Sequence, residues 1–187
     1  MENYKIVNNA EYYRSPEDVT ALIGYVINPL KTQPDGVFGG AVDPTFAAEA
    51  MNCVIDSYEQ HDGLRMRHSV LSFDDNESAT CSIAKAIAPE LISYYSSQYQ
   101  IVAGVHQDTD HLHIHFAMNT TAYTDGHKYR GTRKDYYDFF NHINAVLKPY
   151  KICVRLRKSN DDANTNNHTE SQDTDTIYHF YDEDDET

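Results

Sequence analysis

The chain has 187 residues, with 15 Lys and Arg against 29 Asp and Glu, and a formal net charge of −14. It is long enough for one domain with its own core. It contains no run of about 18 apolar residues that would span a membrane, and its three separated cysteines indicate neither a disulfide framework nor a paired metal motif. A uniform negative charge would argue against nucleic acid, but residues 160–187 hold ten of the acids and no Lys or Arg, which leaves residues 1–159 with a net charge of −4.

The first half of the chain predicts two helices, a loop and a strand. Ser15, followed by Pro and two acids, begins a helix that ends at Asn28-Pro29. Its apolar stripe has i, i+3, i+4, i+7 spacing and consists of Val19, Leu22, Ile23 and Val26. The Pro- and Gly-rich residues 31–40 predict a loop. A second helix begins at Asp43-Pro44, and residues 64–73 alternate as a strand.

The second half predicts a longer helix at residues 77–98 that Pro89 interrupts. The other predicted elements are strands at 100–106 and 111–119 that form a hairpin, a turn at 125–126, a helix at 136–147 and a strand at 151–157. This mixture predicts an α+β fold, with an antiparallel sheet packed against helices. We expect a domain of residues 1–159 and an acidic, disordered tail of residues 160–187. The N-terminus lacks a signal-peptide pattern, which predicts a cytoplasmic protein.

Histidines are concentrated in the second strand of the predicted hairpin. Four of the ten histidines lie between residues 106 and 115. Because residues two apart in a strand share a face, His111, His113 and His115 lie in one row. The opposite face is apolar and consists of Leu112, Ile114, Phe116 and Met118. A row of imidazoles facing away from an apolar set predicts metal binding, since neutral imidazole is the commonest protein metal ligand.

Two histidines of this row, at positions i and i+2, can bind one metal ion together with a third histidine from the neighbouring strand, where His106 is the candidate. A tight hairpin would place it opposite His111 and diagonal to His113, whereas a wider loop would bring it nearer the two later histidines. The residues alone therefore leave open which three of the four bind. Asp108 and Asp110 are candidates to orient the imidazole rings from outside the ligand shell.

Residues 106–119 closely resemble motif III of relaxases, the mobilisation nucleases of conjugative plasmids, which belong to the HUH endonuclease superfamily. Residues 22–32 resemble motif I, which carries the nucleophilic tyrosine of the family with a Lys-Thr pair after it. Residues 68–73 resemble the motif II strand, whose serine contacts DNA. The resemblance covers residues 15–155 and implies an antiparallel sheet of about five strands with helices packed on it.

The resemblance also implies roles for individual residues. The catalytic residues would be Tyr25, as the nucleophile, and Asp108. The ligands of a divalent ion, Mg²⁺ or Mn²⁺, would be His106, His113 and His115. Supporting residues would be Asp110, His111 and Asn119, and DNA would be contacted by Ser72, Lys31, Thr32, Lys128 and Arg130.

The implied function is metal-dependent, site- and strand-specific DNA nicking by tyrosine transesterification. It would act at a transfer origin during plasmid mobilisation, through a covalent 5′-phosphotyrosyl intermediate. The partners would be single-stranded origin DNA and relaxosome accessory proteins. The position of Tyr25 suits this role, because it lies about 110° from the centre of its helix's apolar stripe, which leaves the hydroxyl accessible.

Two other functions fit parts of the sequence. The string His111-Leu-His113-Ile-His115-Phe-Ala also matches the pattern of histidine-triad nucleotide hydrolases and transferases, in which a histidine is the nucleophile and no metal is needed. A relaxase-like DNA-binding accessory protein without nicking activity is the second alternative. Dependence on metal would distinguish a relaxase from the first alternative. Formation of a covalent protein–DNA adduct would distinguish a relaxase from the second.

Overall fold

The computed structural model describes residues 3–7, 13–73, 79–107 and 111–156, and these form a six-stranded sheet and four α-helices. The strands are β1 (Asn3–Val7), β2 (Thr32–Gly40), β3 (Met66–Phe73), β4 (Ile101–His106), β5 (Leu112–Asn119) and β6 (Arg155–Leu156). The helices are α1 (Pro16–Val26), α2 (Ala47–Ser57), α3 (Cys81–Ser93) and α4 (Arg133–Leu147). The predicted α+β fold is confirmed.

The sheet has the strand order β2-β4-β5-β3-β1-β6. Its neighbouring strands pair antiparallel, apart from the parallel pair of β1 and β6. The apolar side chains of β5 pack with α3 and α4 in the larger of two buried clusters. The other face packs with α1 and α2 through Val102, Ala117 and Met66. The histidine face of β5 is therefore covered in part by α1.

Helix α1 follows its sequence signals closely. The Ser15 hydroxyl accepts a hydrogen bond from the Asp18 amide at 3.1 Å, and the Asp18 carboxylate accepts one from the Ser15 amide at 2.9 Å. This reciprocal capping satisfies donors that a helix start leaves open. The predicted apolar stripe is buried against the sheet. Tyr25, beside that stripe, is 38% exposed near the end of the helix.

The prediction of a loop at residues 31–40 is wrong, because this segment forms β2. It is an edge strand, and its pairing with β4 shifts in register between Thr32 and Val37, around Pro34 and Gly36. An edge strand tolerates a proline at such an irregularity, since the missing N–H faces no partner strand. The Pro and Gly residues therefore mark a break in pairing within a strand.

The predicted interruption at Pro89 is also wrong, because α3 continues through it. Pro89 is on the exposed side of the helix, while Ala88 and Leu91 on either side are buried in the core, so packing holds the helix together across the proline. The N-terminal strand β1 was not predicted, and the described part of the last strand is only Arg155–Leu156.

Among the described residues, no helix is long and apolar enough to cross a membrane. The predicted acidic tail and the residues Asp108 and Asp110 lie outside the described residues.

Candidate metal centre

Three histidines from β4 and β5 converge on one point. The register pairs His106 with His113, which corresponds to the wider of the two hairpin loops considered from the sequence. His115 lies two residues further along β5 on the same face. Each of the three offers one ring nitrogen, and these nitrogens lie within 4.8 Å of one another. The group is the set that the resemblance implied as ligands.

The second nitrogen of each ring is engaged elsewhere. His106 Nε2 donates to the Val26 carbonyl at 2.9 Å, and His113 Nδ1 donates to the His111 carbonyl at 2.8 Å. His115 Nδ1 lies 2.9 Å from His68 Nε2. A metal-binding histidine commonly uses its second nitrogen in this way, which fixes ring orientation and tautomer. The donor set therefore fits a divalent metal ion.

The environment keeps the rings of His115 and His68 neutral. Burial lowers the pKa of His115 far below its ordinary value, and the neighbouring histidines lower it further. Burial, with a smaller effect from His106, lowers the pKa of His68 to about 4. Imidazole binds metals only in its neutral form, so this environment favours metal over proton.

Tyr25 lies directly beside these histidines. Its hydroxyl is 3.4 Å from His115 Nε2, and its ring centre is 5.4 Å from that of His106. The Lys31 ammonium lies 4.7 Å from the centre of the Tyr25 ring. Because His115 Nε2 has one lone pair, a bound ion would replace the hydrogen bond to Tyr25. The structure thus brings a phenol, a cation and a potential metal site together.

Gly104 explains how the end of α1 comes so close to the sheet. It pairs with His115 across β4 and β5, and a Cβ there would overlap the carbonyl oxygen of Val26. That carbonyl is the acceptor for His106. The missing side chain therefore lets α1 orient one candidate ligand directly and place Tyr25, the residue before Val26, beside the others.

We expect Gly104→Ala to destabilise the fold by about 2 kcal/mol, because the added methyl must push α1 from the sheet. Metal affinity should fall as well, since the His106–Val26 hydrogen bond is lost. Denaturant unfolding and metal titration measure the two effects. Gly24→Ala, also on α1, is the matched control, because a Cβ at Gly24 meets no atom within 4 Å. Equal stability and metal affinity in the two variants would contradict this account.

Three predicted DNA contacts lie near the cluster. Ser72 pairs with His113 and shares its face of the sheet. Thr32 pairs with His106, and its hydroxyl donates to the Asn28 carbonyl at 3.0 Å. Lys31 lies over Tyr25. These residues form a polar border around the histidines.

Three other predicted site residues lie outside the group of converging histidines. Asn119 is fully buried and donates to the Met51 carbonyl and to Gln100 Oε1, both at 3.2 Å, so the structure gives it a structural role at that end. Four residues of strand separate it from His115 by about 13 Å. Lys128 donates to the Leu64 carbonyl at 2.8 Å. Arg130 lines a separate cavity of about 730 Å³ rich in tyrosines.

The side chain of His111 is exposed, and His111 is not a member of the converging group. Sequence reasoning missed two residues of the site, His68 and Gly104. The period of two in strands carries a signal for both, because His68 shares a face with Ser72, and Gly104 shares one with His106. Their pairing with residues of β5 depends on the register, which no spacing in the sequence specifies.

Two comparisons with known proteins match this chain. The family model described as "Relaxase: MobA/VirD2-like, nuclease domain" matches residues 25–152. Protein rlx of Staphylococcus aureus is 22% identical over 117 residues, which cover 63% of this chain and 35% of that protein. The chain thus spans about a third of the length of this curated relative. The matched region begins at Tyr25 and includes the three converging histidines.

Proposed function

Because the chain belongs to the relaxase family, as a MobA/VirD2-like nuclease domain, we propose that it nicks one strand of DNA at a transfer origin by tyrosine transesterification. The nick would begin the mobilisation of a plasmid. Family membership also favours this function over the histidine-triad alternative, which was based on the string of β5 alone.

The observation that carries the proposal is the position of Tyr25. Tyr25 is a partly exposed residue, and its hydroxyl lies 3.4 Å from Nε2 of His115, one of the converging histidines. A nucleophile must lie beside the group that activates it and must also be open to substrate. Tyr25 meets both requirements, and the Lys31 ammonium above it suits an incoming phosphate.

The proposed reaction exchanges one phosphodiester for another. The phenol oxygen of Tyr25 forms a bond to phosphorus and loses its proton, while the bond from phosphorus to the 3′ oxygen breaks. The 3′ oxygen takes up a proton to become a free 3′-OH, and the 5′ phosphate stays on Tyr25. The nick remains resealable because the new ester keeps the phosphodiester energy.

His106, His113 and His115 would hold the divalent ion, which supplies Lewis-acid polarisation of a phosphate oxygen. Imidazole donors suit Mn²⁺ better than Mg²⁺, which prefers oxygen ligands. Of the two ions expected from the sequence, the described ligand set therefore favours Mn²⁺. Ser72, Lys31 and Thr32 would contact the DNA near the nick, and accessory proteins of a relaxosome would help to expose it as a single strand.

The test incubates the full chain with single-stranded oligonucleotides that tile the replicon carrying its coding sequence. With Mn²⁺ or Mg²⁺ we expect one oligonucleotide to give a denaturant-resistant protein–DNA adduct and a fragment with a free 3′-OH. A chelator should abolish both products.

A non-catalytic relaxase-like protein would bind the same oligonucleotide without forming an adduct. Binding without an adduct would therefore reject nicking and support the accessory alternative. Cleavage that persists in chelator would reject the role of the metal.

A further inference from the structure

A fourth histidine lies behind the three that converge. His68 is on β3, where it pairs with Ala117 and lies diagonal to His115 on the same face of the sheet. Its Nε2 is 2.9 Å from His115 Nδ1, and the two ring centres are 5.1 Å apart. Both side chains are buried. His68 thus contacts a candidate metal ligand through the nitrogen that faces away from the metal group.

The chemistry of imidazole assigns the hydrogens along this contact. For His115 to bind a metal through Nε2, its single ring hydrogen must lie on Nδ1. That hydrogen is then donated to His68 Nε2, which must be unprotonated. A neutral His68 consequently carries its hydrogen on Nδ1, which lies 3.0 Å from the Tyr13 hydroxyl oxygen. One assignment of hydrogens satisfies both contacts.

Tyr13 is held in a backbone conformation that tyrosine rarely adopts. Its φ is 66°, in the left-handed region, where a residue with a Cβ is conformationally strained. Arg65 supports this conformation, since its amide donates to the Tyr13 carbonyl at 2.7 Å and its Nε donates to the Arg14 carbonyl at 3.0 Å. The surrounding structure thus fixes the backbone that carries the hydroxyl to His68.

We propose that His68 is a positioning residue, which fixes the ring orientation and tautomer of His115 for metal binding, and that Tyr13 fixes the tautomer of His68. This inference rests on the proposed metal-dependent function and extends it to two residues that do not touch the ion. A residue that only packed against His115 would fill the same space, but it would not require the hydrogen to be on a particular nitrogen of either ring.

The direct test observes the tautomers. In ¹H–¹⁵N spectra of the imidazole rings, recorded on the full chain loaded with Zn²⁺ as a diamagnetic probe, we expect His68 to carry its hydrogen on Nδ1. His115 should be protonated on Nδ1 and bound to the ion through Nε2. A His68 hydrogen on Nε2, or a His115 bound through Nδ1, overturns the proposal.

Two variants at His68 separate positioning from packing. In His68→Gln the side-chain oxygen can accept from His115 Nδ1, whereas His68→Leu has similar bulk and no acceptor. Competition with a chromogenic chelator should show Zn²⁺ affinity reduced about 10- to 100-fold in His68→Leu and nearly unchanged in His68→Gln. Equal loss in both variants, or no loss in either, overturns the proposal.

Tyr13→Phe removes only a hydroxyl, so it tests the second half of the proposal even if His68→Leu does not fold. We expect mixed His68 tautomers and a smaller reduction in Zn²⁺ affinity. An unchanged single tautomer would show that Tyr13 does not fix His68.

These readouts are independent of nicking. If the wild-type chain binds Zn²⁺ and the His68 variants behave as expected but no adduct forms, the proposed function fails and the positioning role stands. If adducts form and both His68 variants bind Zn²⁺ as tightly as the wild type, the positioning role fails and the nuclease stands. A wild-type chain that binds no Zn²⁺ would overturn the positioning role, while the adduct assay with Mn²⁺ or Mg²⁺ would still decide the proposed function.

Discussion

Tyr25→Phe is expected to abolish the covalent protein–DNA adduct and to reduce cleavage of the cognate oligonucleotide by about 10⁴-fold or more. The variant lacks the oxygen that would attack phosphorus and keeps the ring that packs beside His106 and His115. DNA binding and metal affinity should stay close to wild type, because phosphate contacts and imidazoles are unchanged. Denaturing gels with labelled oligonucleotide measure the adduct.

Tyr137→Phe is the matched control for this loss. Tyr137 is 39% exposed, close to the value for Tyr25, and it also has a cation over its ring, the Arg133 guanidinium at 5.8 Å. It lies on α4, which packs on the other face of the sheet. The control should form as much adduct as the wild type. If Tyr25→Phe forms the adduct equally well, the nucleophile has been assigned to the wrong residue.

His113→Ala should weaken metal binding by more than about 100-fold, because losing a direct ligand should cost more than losing a residue that only orients a ligand, for which the loss reaches about 100-fold. It should also abolish nicking at the same metal concentration. His113 is the candidate ligand with the least burial, at 9% exposed, so its truncation disturbs the core least. Isothermal titration with Mn²⁺ measures the first effect, and the adduct assay measures the second.

His111→Ala is the control for a neighbouring imidazole. The side chain of His111 is exposed, and the hydrogen bond from His113 goes to the His111 backbone carbonyl, which alanine preserves. We expect near wild-type metal affinity. If His111→Ala loses as much affinity as His113→Ala, the ligand set includes His111 and the grouping of the three histidines is incomplete.

The parts of the fold that could be predicted from sequence are those with a strong local signal. Helix α1 has a capping box and a regular apolar stripe, and β5 alternates strictly, so both were predicted within a few residues. Strand β2 was missed because its Pro and Gly residues indicate a turn unless the strand is known to be at an edge. The continuity of α3 through Pro89 depends on core packing around it, which is a tertiary effect.

The same division holds for the candidate site. The histidine row was predicted from residue type and spacing, whereas Tyr25 was predicted from the resemblance of residues 22–32 to motif I of relaxases. The choice of His106, His113 and His115 as a group depends on the loop length of the hairpin, which the residues left open. His68 and Gly104 become visible only once β3, β4 and β5 are aligned, because their importance lies in what they face.

The last turn of α1 carries two parts of the proposed chemistry at once. Tyr25 is in it, and the carbonyl of Val26, its final residue, orients His106. Local unfolding of this one turn would therefore remove the nucleophile and a ligand together, without unfolding the sheet. By linkage, an ion bound through His106 also stabilises the turn. A bound metal ion would therefore hold the last turn of α1 in its folded conformation. Tyr25, the proposed nucleophile, would then be best ordered in the metal-bound protein, which is the form that reacts.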